Sequence, residues 1–269
     1  MVNKKGQVTI FIVIAVLLVV AIGIIFVVRN SLKPGETTPP AGTENIQGFV
    51  EQCLKNTAED GIIFIGRQGG YYAPPSSISY TGNDSDSDKK YFTELGNINV
   101  SYYSSTDMPT LATIEEELSN YVEGNINKCL NDFSIFKQKG FEVQNGTMSV
   151  SVRILDEKVV VFLDYPVTIT KGDFTQQKTV YSVDVPIRLG LIYTLTQTII
   201  QSGCQLVWIN NLVELSLYDS CFTPLSRDEY NFRKSMLIYP GNTVLFVITD
   251  PEYKLNNTYY DFIFAYKYA

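Results

Sequence analysis

The chain has 269 residues, 45% of them hydrophobic and 18% charged, with a formal net charge of −7 and no histidine. This composition excludes disorder as a description of the whole chain. The missing imidazole excludes Ser-His-Asp and Cys-His hydrolases, histidine-ligated zinc and ordinary imidazole acid-base catalysis.

In chain order, the first element is the apolar run from Val8 to Val28, interrupted only by Thr9 and the small residues Ala15, Ala21 and Gly23. A helix over this run is apolar on every face and about 30 Å long, which matches a bilayer core. A cleaved secretory signal does not fit, because such an apolar region spans about 7–15 residues and ends in small residues, whereas this run closes on Arg29-Asn30. Two readings remain: an uncleaved signal anchor, or a precursor cut ahead of the apolar run.

The start of the chain, Lys4-Lys5-Gly6 followed by Gln7-Val8-Thr9, resembles the processing site of archaeal type IV pilin-like precursors with a class III signal peptide. The resemblance covers Met1 to about Val28. It implies that a prepilin peptidase cuts after Gly6, with Lys5, Gly6 and Gln7 forming the processing site and Gln7 the mature first residue. It further implies that the apolar helix first holds the precursor in membrane lipid and then self-associates with copies in a filament core. Phe11 stands at the fifth mature position, where bacterial relatives usually carry Glu and archaeal members often do not.

Residues 30–43 are a Pro/Thr/Gly linker, extended and semi-rigid by composition. Pro34, Pro39 and Pro40 stop the first helix, since each lacks an amide hydrogen and clashes with the preceding turn. The expected organisation is therefore a leader over 1–6, a transmembrane or pilin-type helix over 7–29, the linker over 30–43 and an extracellular head over 44–269. The four basic residues before Pro34 leave 17 basic against 28 acidic residues beyond it, a balance of −11. A nucleic acid would be repelled by such a surface.

In the head, Ile46, Phe49, Val50, Cys53, Leu54 and Ala58 make one face of an amphipathic helix over Glu44 to about Gly66. Gly66, Gly69 and Gly70 stop it. Residues 71–108 read as loops with one short strand near Asn97–Tyr103. Thr113-Ile114-Glu115-Glu116 has the form of a capping box, and Ile114, Leu118, Tyr121, Val122, Cys129, Leu130 and Phe133 recur at helical spacing behind it. The period then changes to two. Met148, Val150 and Val152 form a hairpin with Val159, Val161 and Leu163 through Asp156-Glu157, and strands Tyr165–Thr170 and Lys178–Val185 flank Lys171-Gly172-Asp173. Pro186–Gln201 reads as a helix, and Ser235–Tyr239, Val244–Thr249 and Tyr259–Tyr266 as late strands. The expected fold class is α+β, an antiparallel sheet with amphipathic helices on one side.

Chemistry-bearing residues are few. The four cysteines, Cys53, Cys129, Cys204 and Cys221, contain no Cys-x-x-Cys pair and read as two disulfides of an oxidising exterior. Cys53–Cys129 would join the two helices and Cys204–Cys221 close a short loop; the alternative is four reduced core thiols. Sequons stand at Asn83, Asn99, Asn145 and Asn256 as glycosylation candidates. Asp84, Asp86 and Asp88 alternate as in a calcium loop, yet Lys89 and Leu95 occupy the positions where that loop needs Gly and Glu. Ser87-x-x-Lys90 and Ser134-x-x-Lys137 lack the companion motifs of a Ser-Lys enzyme. The Gly66–Tyr72 stretch has neither a Walker lysine nor a GxGxxG order and reads as a structural helix stop; a surface tyrosine contact patch is the alternative.

No catalytic residue, metal site or cofactor is expected. The expected function is a pilin-like cell-surface subunit whose head serves adhesion or surface contact, located in the cell membrane with the head outside, or in an extracellular filament. The alternative is a single-pass anchored binding module that does not polymerise.

Overall fold

The computed structural model describes residues 45–73, 100–103, 108–201, 208–209, 212–213, 230–239 and 243–267. The leader 1–6, the apolar segment 7–29 and the linker 30–43 lie outside the described residues. Among those described, no helix is long and apolar enough to cross a membrane.

The head is α+β, as the periodicities indicate. Helix α1 (Ile46–Arg67) starts at Asn45, whose side chain accepts from the Gln47 amide, and buries Ile46, Val50, Cys53, Leu54, Ala58, Ile62 and Ile65. Helix α2 (Leu111–Leu130) carries Ile114, Leu118, Val122, Ile126 and Leu130 on one stripe against it. The expected capping box is displaced. The N-cap is Thr110, extended at φ −73°, whose hydroxyl oxygen accepts from the Thr113 amide at 3.1 Å. Thr113 is thus the third helical residue, and Glu115, further along the helix, accepts from the Ile154 amide of the sheet.

Helix α2 ends in three consecutive left-handed residues, Asn131, Asp132 and Phe133 (φ 45°, 51° and 54°). Each such residue costs about 1–2 kcal/mol. The Phe133 side chain is buried beside Tyr165 and Phe49, ring centroids 6.1 and 6.2 Å away, and this packing opposes the cost. A short helix α3 (Ser134–Gln138) follows.

Two sheets form instead of the expected one. In the first, β4 (Val159–Lys171) is central. It pairs along its length with β5 (Phe174–Val185), and on its other side with β3 (Ser149–Ile154) and β2 (Glu142–Asn145) laid end to end. The separate strands expected at Val159–Leu163 and Tyr165–Thr170 are one strand with a register shift between Asp164 and Val167. Pro166 has no amide to give the ladder, so the chain bulges there and continues. Opposite the shift, Thr179 and Val180 are both exposed, and the alternation of β5 changes face.

The second sheet has the order β1-β10-β9-β8, from β1 (Tyr102–Tyr103), β8 (Arg233–Tyr239), β9 (Thr243–Leu255) and β10 (Thr258–Lys267). Its β1–β10 pair is parallel and the others antiparallel. Asn256 and Asn257 take left-handed φ of 49° and 64° in the β9–β10 turn, the conformation a two-residue hairpin demands. Tyr103, Phe264 and Phe246 stack in a column with centroids 5.0 Å apart at each step. Two residue pairs, β6 (Trp208–Ile209) and β7 (Leu212–Val213), form a separate ribbon.

Helix α1 packs against both sheets, touching β4 and β5 of one and β9 and β10 of the other. The helices are therefore not gathered on one side of a single sheet. Gly61 and Gly66 make the contacts close: a Cβ at Gly61 would stand 2.7 Å from Tyr121, and one at Gly66 would stand 2.5 Å from the Tyr260 hydroxyl. That hydroxyl is buried and finds no hydrogen-bond partner among the described residues.

Helix α4 (Leu189–Gln201) begins three residues after the expected Pro186, and Arg188, just before it, reaches across to β9. Its Nε and Nη2 donate to Asp250 Oδ2 and Oδ1 at 3.0 and 2.5 Å, and Nη1 donates to the Tyr230 carbonyl at 2.9 Å. The guanidinium carbon lies 4.5 Å from the Phe232 ring centroid. The bonds to Asp250 hold the pKa of the Arg188 guanidinium above its ordinary value, against the opposite pull of burial.

Arg188→Met should cost about 3–5 kcal/mol, because it strands the fully buried Asp250 carboxylate without its partner. Chemical denaturation that shows a loss below about 1 kcal/mol would remove the pair from the determinants of the fold.

Burial pushes Tyr103, Tyr181 and Tyr260 above their ordinary value of 10.0. The unfolded chain ionises these groups first, so their contribution to stability is fully present below about pH 10 and is lost as pH rises above it. Urea unfolding at pH 8 and pH 11 should show the loss, and equal midpoints would contradict it.

Candidate contact surface

The end of α1 sets the geometry. Gly69 and Gly70 take φ of 68° and 82°, and the Gly70 amide returns to the Ile65 carbonyl at 2.7 Å. The buried Gln68 side chain then donates to the carbonyls of Tyr71 and Tyr72 at 2.9 and 3.2 Å. This bracing turns Tyr71 inward and leaves Tyr72 outward. On the far side, Glu117 Oε2 of α2 accepts from the Tyr72 and Ala73 amides at 2.8 and 3.2 Å.

Tyr72 thereby joins two other rings. Phe64 from α1 and Tyr121 from α2 complete a trio with centroids 5.9 Å (Phe64–Tyr72), 5.4 Å (Phe64–Tyr121) and 5.3 Å (Tyr72–Tyr121) apart. Phe64 is 41% exposed and Tyr72 38%. Tyr72 stands at 67° and 80° to the other two rings, which are tilted by 33° from each other, so the trio forms a corner. Burial, then Asp60 and Tyr72, push the Tyr121 hydroxyl above its ordinary value.

The surface tyrosine patch read from the Gly66–Tyr72 stretch therefore has one member from that stretch, Tyr72. Its neighbours Phe64 and Tyr121 were hidden in helical patterns. Tyr121 stands on the apolar stripe of α2 by spacing, but it lies half-buried at the margin, over Gly61.

Of the covalent candidates, Cys53 and Cys129 are brought together, with sulfurs 2.07 Å and Cα atoms 5.5 Å apart, joining α1 to α2. Cys53 is buried, whereas Cys129 is exposed, a correction to its expected place on the inward stripe: the buried positions recur every four residues, at Ile114, Leu118, Val122, Ile126 and Leu130, and Cys129 falls beside that row. Asn145 ends β2, exposed, and donates to the Tyr165 hydroxyl. Asn256 lies in the exposed β9–β10 turn and donates to Asp60 Oδ1 at 2.7 Å. Lys5, Gly6, Gln7, Asn83, Asn99, Cys204, Cys221 and the run Asp84 to Lys90 lie outside the described residues.

Ser134 and Lys137 do not face each other as a catalytic pair. Ser134 Oγ accepts from Asn131, and Lys137 Nζ bonds Asp132. Among the described residues no group of three or more Cys, Asp or Glu is placed to hold a metal ion. Among the described residues, open grooves include the following two. The larger, about 970 Å³, has lining charges of both signs from Lys55, Lys158, Asp156, Glu157 and Asp184. The smaller, about 410 Å³, lies between α2 and β3, where Glu115 and Glu123 are already bonded to strand amides.

No protein-family model matches the chain, and neither a curated protein nor a solved structure is similar to it.

The Cys53–Cys129 bridge closes 76 residues. Replacing both cysteines by Ala should lower the unfolding free energy by about 2–4 kcal/mol. Denaturant titration of the full chain and of this variant measures the difference, and equal stability would show that the closed loop constrains nothing in the unfolded state.

Proposed function

We propose that the chain is a pilin-like cell-surface subunit, anchored and polymerised through its N-terminal helix, with the α+β head used for adhesion or surface contact. One observation carries this reading: Lys4-Lys5-Gly6-Gln7 immediately precedes a charge-free, almost wholly apolar run to Val28. A peptidase acting between Gly6 and Gln7 would free an apolar helix of bilayer length. Membrane lipid holds that helix before assembly, and copies of the chain pack against it afterwards.

The head supports an exterior location by its chemistry. Its cysteine pair suits an oxidising compartment, and the balance of −11 beyond Pro34 suits a solvated surface domain. The aromatic corner supplies a contact feature, since exposed tyrosines combine apolar area with a hydrogen-bonding end. The second reading keeps the same head on an uncleaved single-pass anchor.

The mass of the N-terminal peptide from protein taken at its native cell surface separates the two. A chain that begins at Gln7 is expected, and Gly6→Leu should block that maturation. A surface protein that retains Met1 through Gly6, or loses only Met1, would leave the unpolymerised anchor.

A further inference from the structure

Aromatic rings elsewhere in the head carry cations. Arg188 lies 4.5 Å from the Phe232 centroid and 5.8 Å from that of Tyr253. Arg233 and Lys254 lie 5.5 and 4.7 Å from the exposed Tyr259, and Lys171 lies 5.2 Å from Phe141. The Phe64–Tyr72–Tyr121 corner differs: among the described residues no cation stands over any of its three rings.

Carboxylates bound the corner at both ends. The antiparallel course of α1 and α2, fixed by Cys53 against Cys129 and Gly61 against Leu118 and Tyr121, places Asp60 beside Tyr121 and Glu117 beside Tyr72. Asp60 is exposed and engages the Asn256 side chain through Oδ1. Glu117 receives both loop amides on Oε2. The nearest basic residue in sequence is Arg67, one turn beyond Phe64 in the last turn of α1.

We propose that this corner binds an arginine-bearing segment of a partner polypeptide. Three rings meet at one corner, and the carboxylates of Asp60 and Glu117 flank it beside Tyr121 and Tyr72. A guanidinium satisfies both requirements, because it stacks on a ring while donating in its own plane to carboxylate. The Arg188 site performs this with Phe232 and Asp250 inside the same domain. A sugar is disfavoured by the ring planes, since Tyr72 is nearly perpendicular to its neighbours and leaves no shared flat platform. The acidic balance of the head also draws a basic partner toward it.

This assignment names the partner class for the contact role given to the head. It stands or falls separately from processing at Gly6, because binding is measured on the full chain whether or not the leader is removed.

The test uses the full chain in a nonionic detergent at about 0.15 M salt, where distant charges are largely screened. The probes are a Gly-Arg-Gly-Arg-Gly peptide, its lysine counterpart and the neutral sugar cellohexaose. The arginine peptide should bind more tightly than the lysine peptide. Tyr72→Ala and Phe64→Ala should each weaken it by about fivefold, and Asp60→Asn should also weaken it, while Tyr72→Phe retains it. Unchanged binding in both alanine variants would overturn the proposal. So would cellohexaose binding that Tyr72→Ala abolishes, or self-association lost in Tyr72→Ala without any affinity for the peptide.

Discussion

The fold depends on one helix being buried from two directions. Helix α1 fully buries Ile46, Val50, Leu54, Ile62 and Ile65, each contributing about 1.5–3 kcal/mol relative to exposure, and its partners are spread along the whole head. It is bridged to α2 across 76 residues of sequence, but it reaches the β9–β10 turn only across 196, the span of the Asn256–Asp60 bond. Local collapse of α1 on α2 therefore cannot complete the core, and the late strands close it. Gly61 and Gly66 allow this. Any side chain at either position would hold off α2 or the β10 tyrosine, separating one layer from the helix they share.

The acidic surface of α2 also has a structural role. Strand β3 pairs with β4 on one side only, so its other edge presents unpaired amides. Glu115 accepts from the Ile154 amide and Glu123 from the Val150 amide, at 2.8 and 2.7 Å. Eight residues of helix advance about 12 Å and four residues of strand about 13 Å, so two carboxylates two turns apart meet outward amides four residues apart. Charge that composition assigns to solubility here covers a sheet edge that could otherwise pair with another chain.

Local signals in the sequence carried most of the elements. The alternation of Val150, Val152, Val159 and Val161, the stripe of Ile114, Leu118 and Val122, and the late strands around Phe246 and Phe264 all reflect periodicities of two or 3.6. What escaped was set by tertiary structure. Pro166 looked like a break, yet a bulge lets β4 run through it. Thr113 had the form of a cap, but Thr110 lies one turn earlier and its hydroxyl oxygen accepts from the Thr113 amide. Arg188 and Asp250 are 62 residues apart, and no local pattern marks either as buried. The corner was legible only at Tyr72, because Phe64 and Tyr121 belong to two helices whose register is fixed by Gly61 and the cysteine pair.

The start of the head bears on the proposed anchor. Asn45 is extended, at φ −70° and ψ 111°, and its side chain and carbonyl close the first turn through the amides of Gln47 and Phe49. Helix α1 thus begins with its own cap instead of continuing a helix from upstream. Asn45 satisfies amides that an upstream helical turn would otherwise bond, so the head needs no contribution from the apolar segment to complete its first element. The Pro-rich composition of residues 30–43 points the same way. On the proposed reading, the first turn of the head is closed by Asn45 whether or not the chain is processed at Gly6.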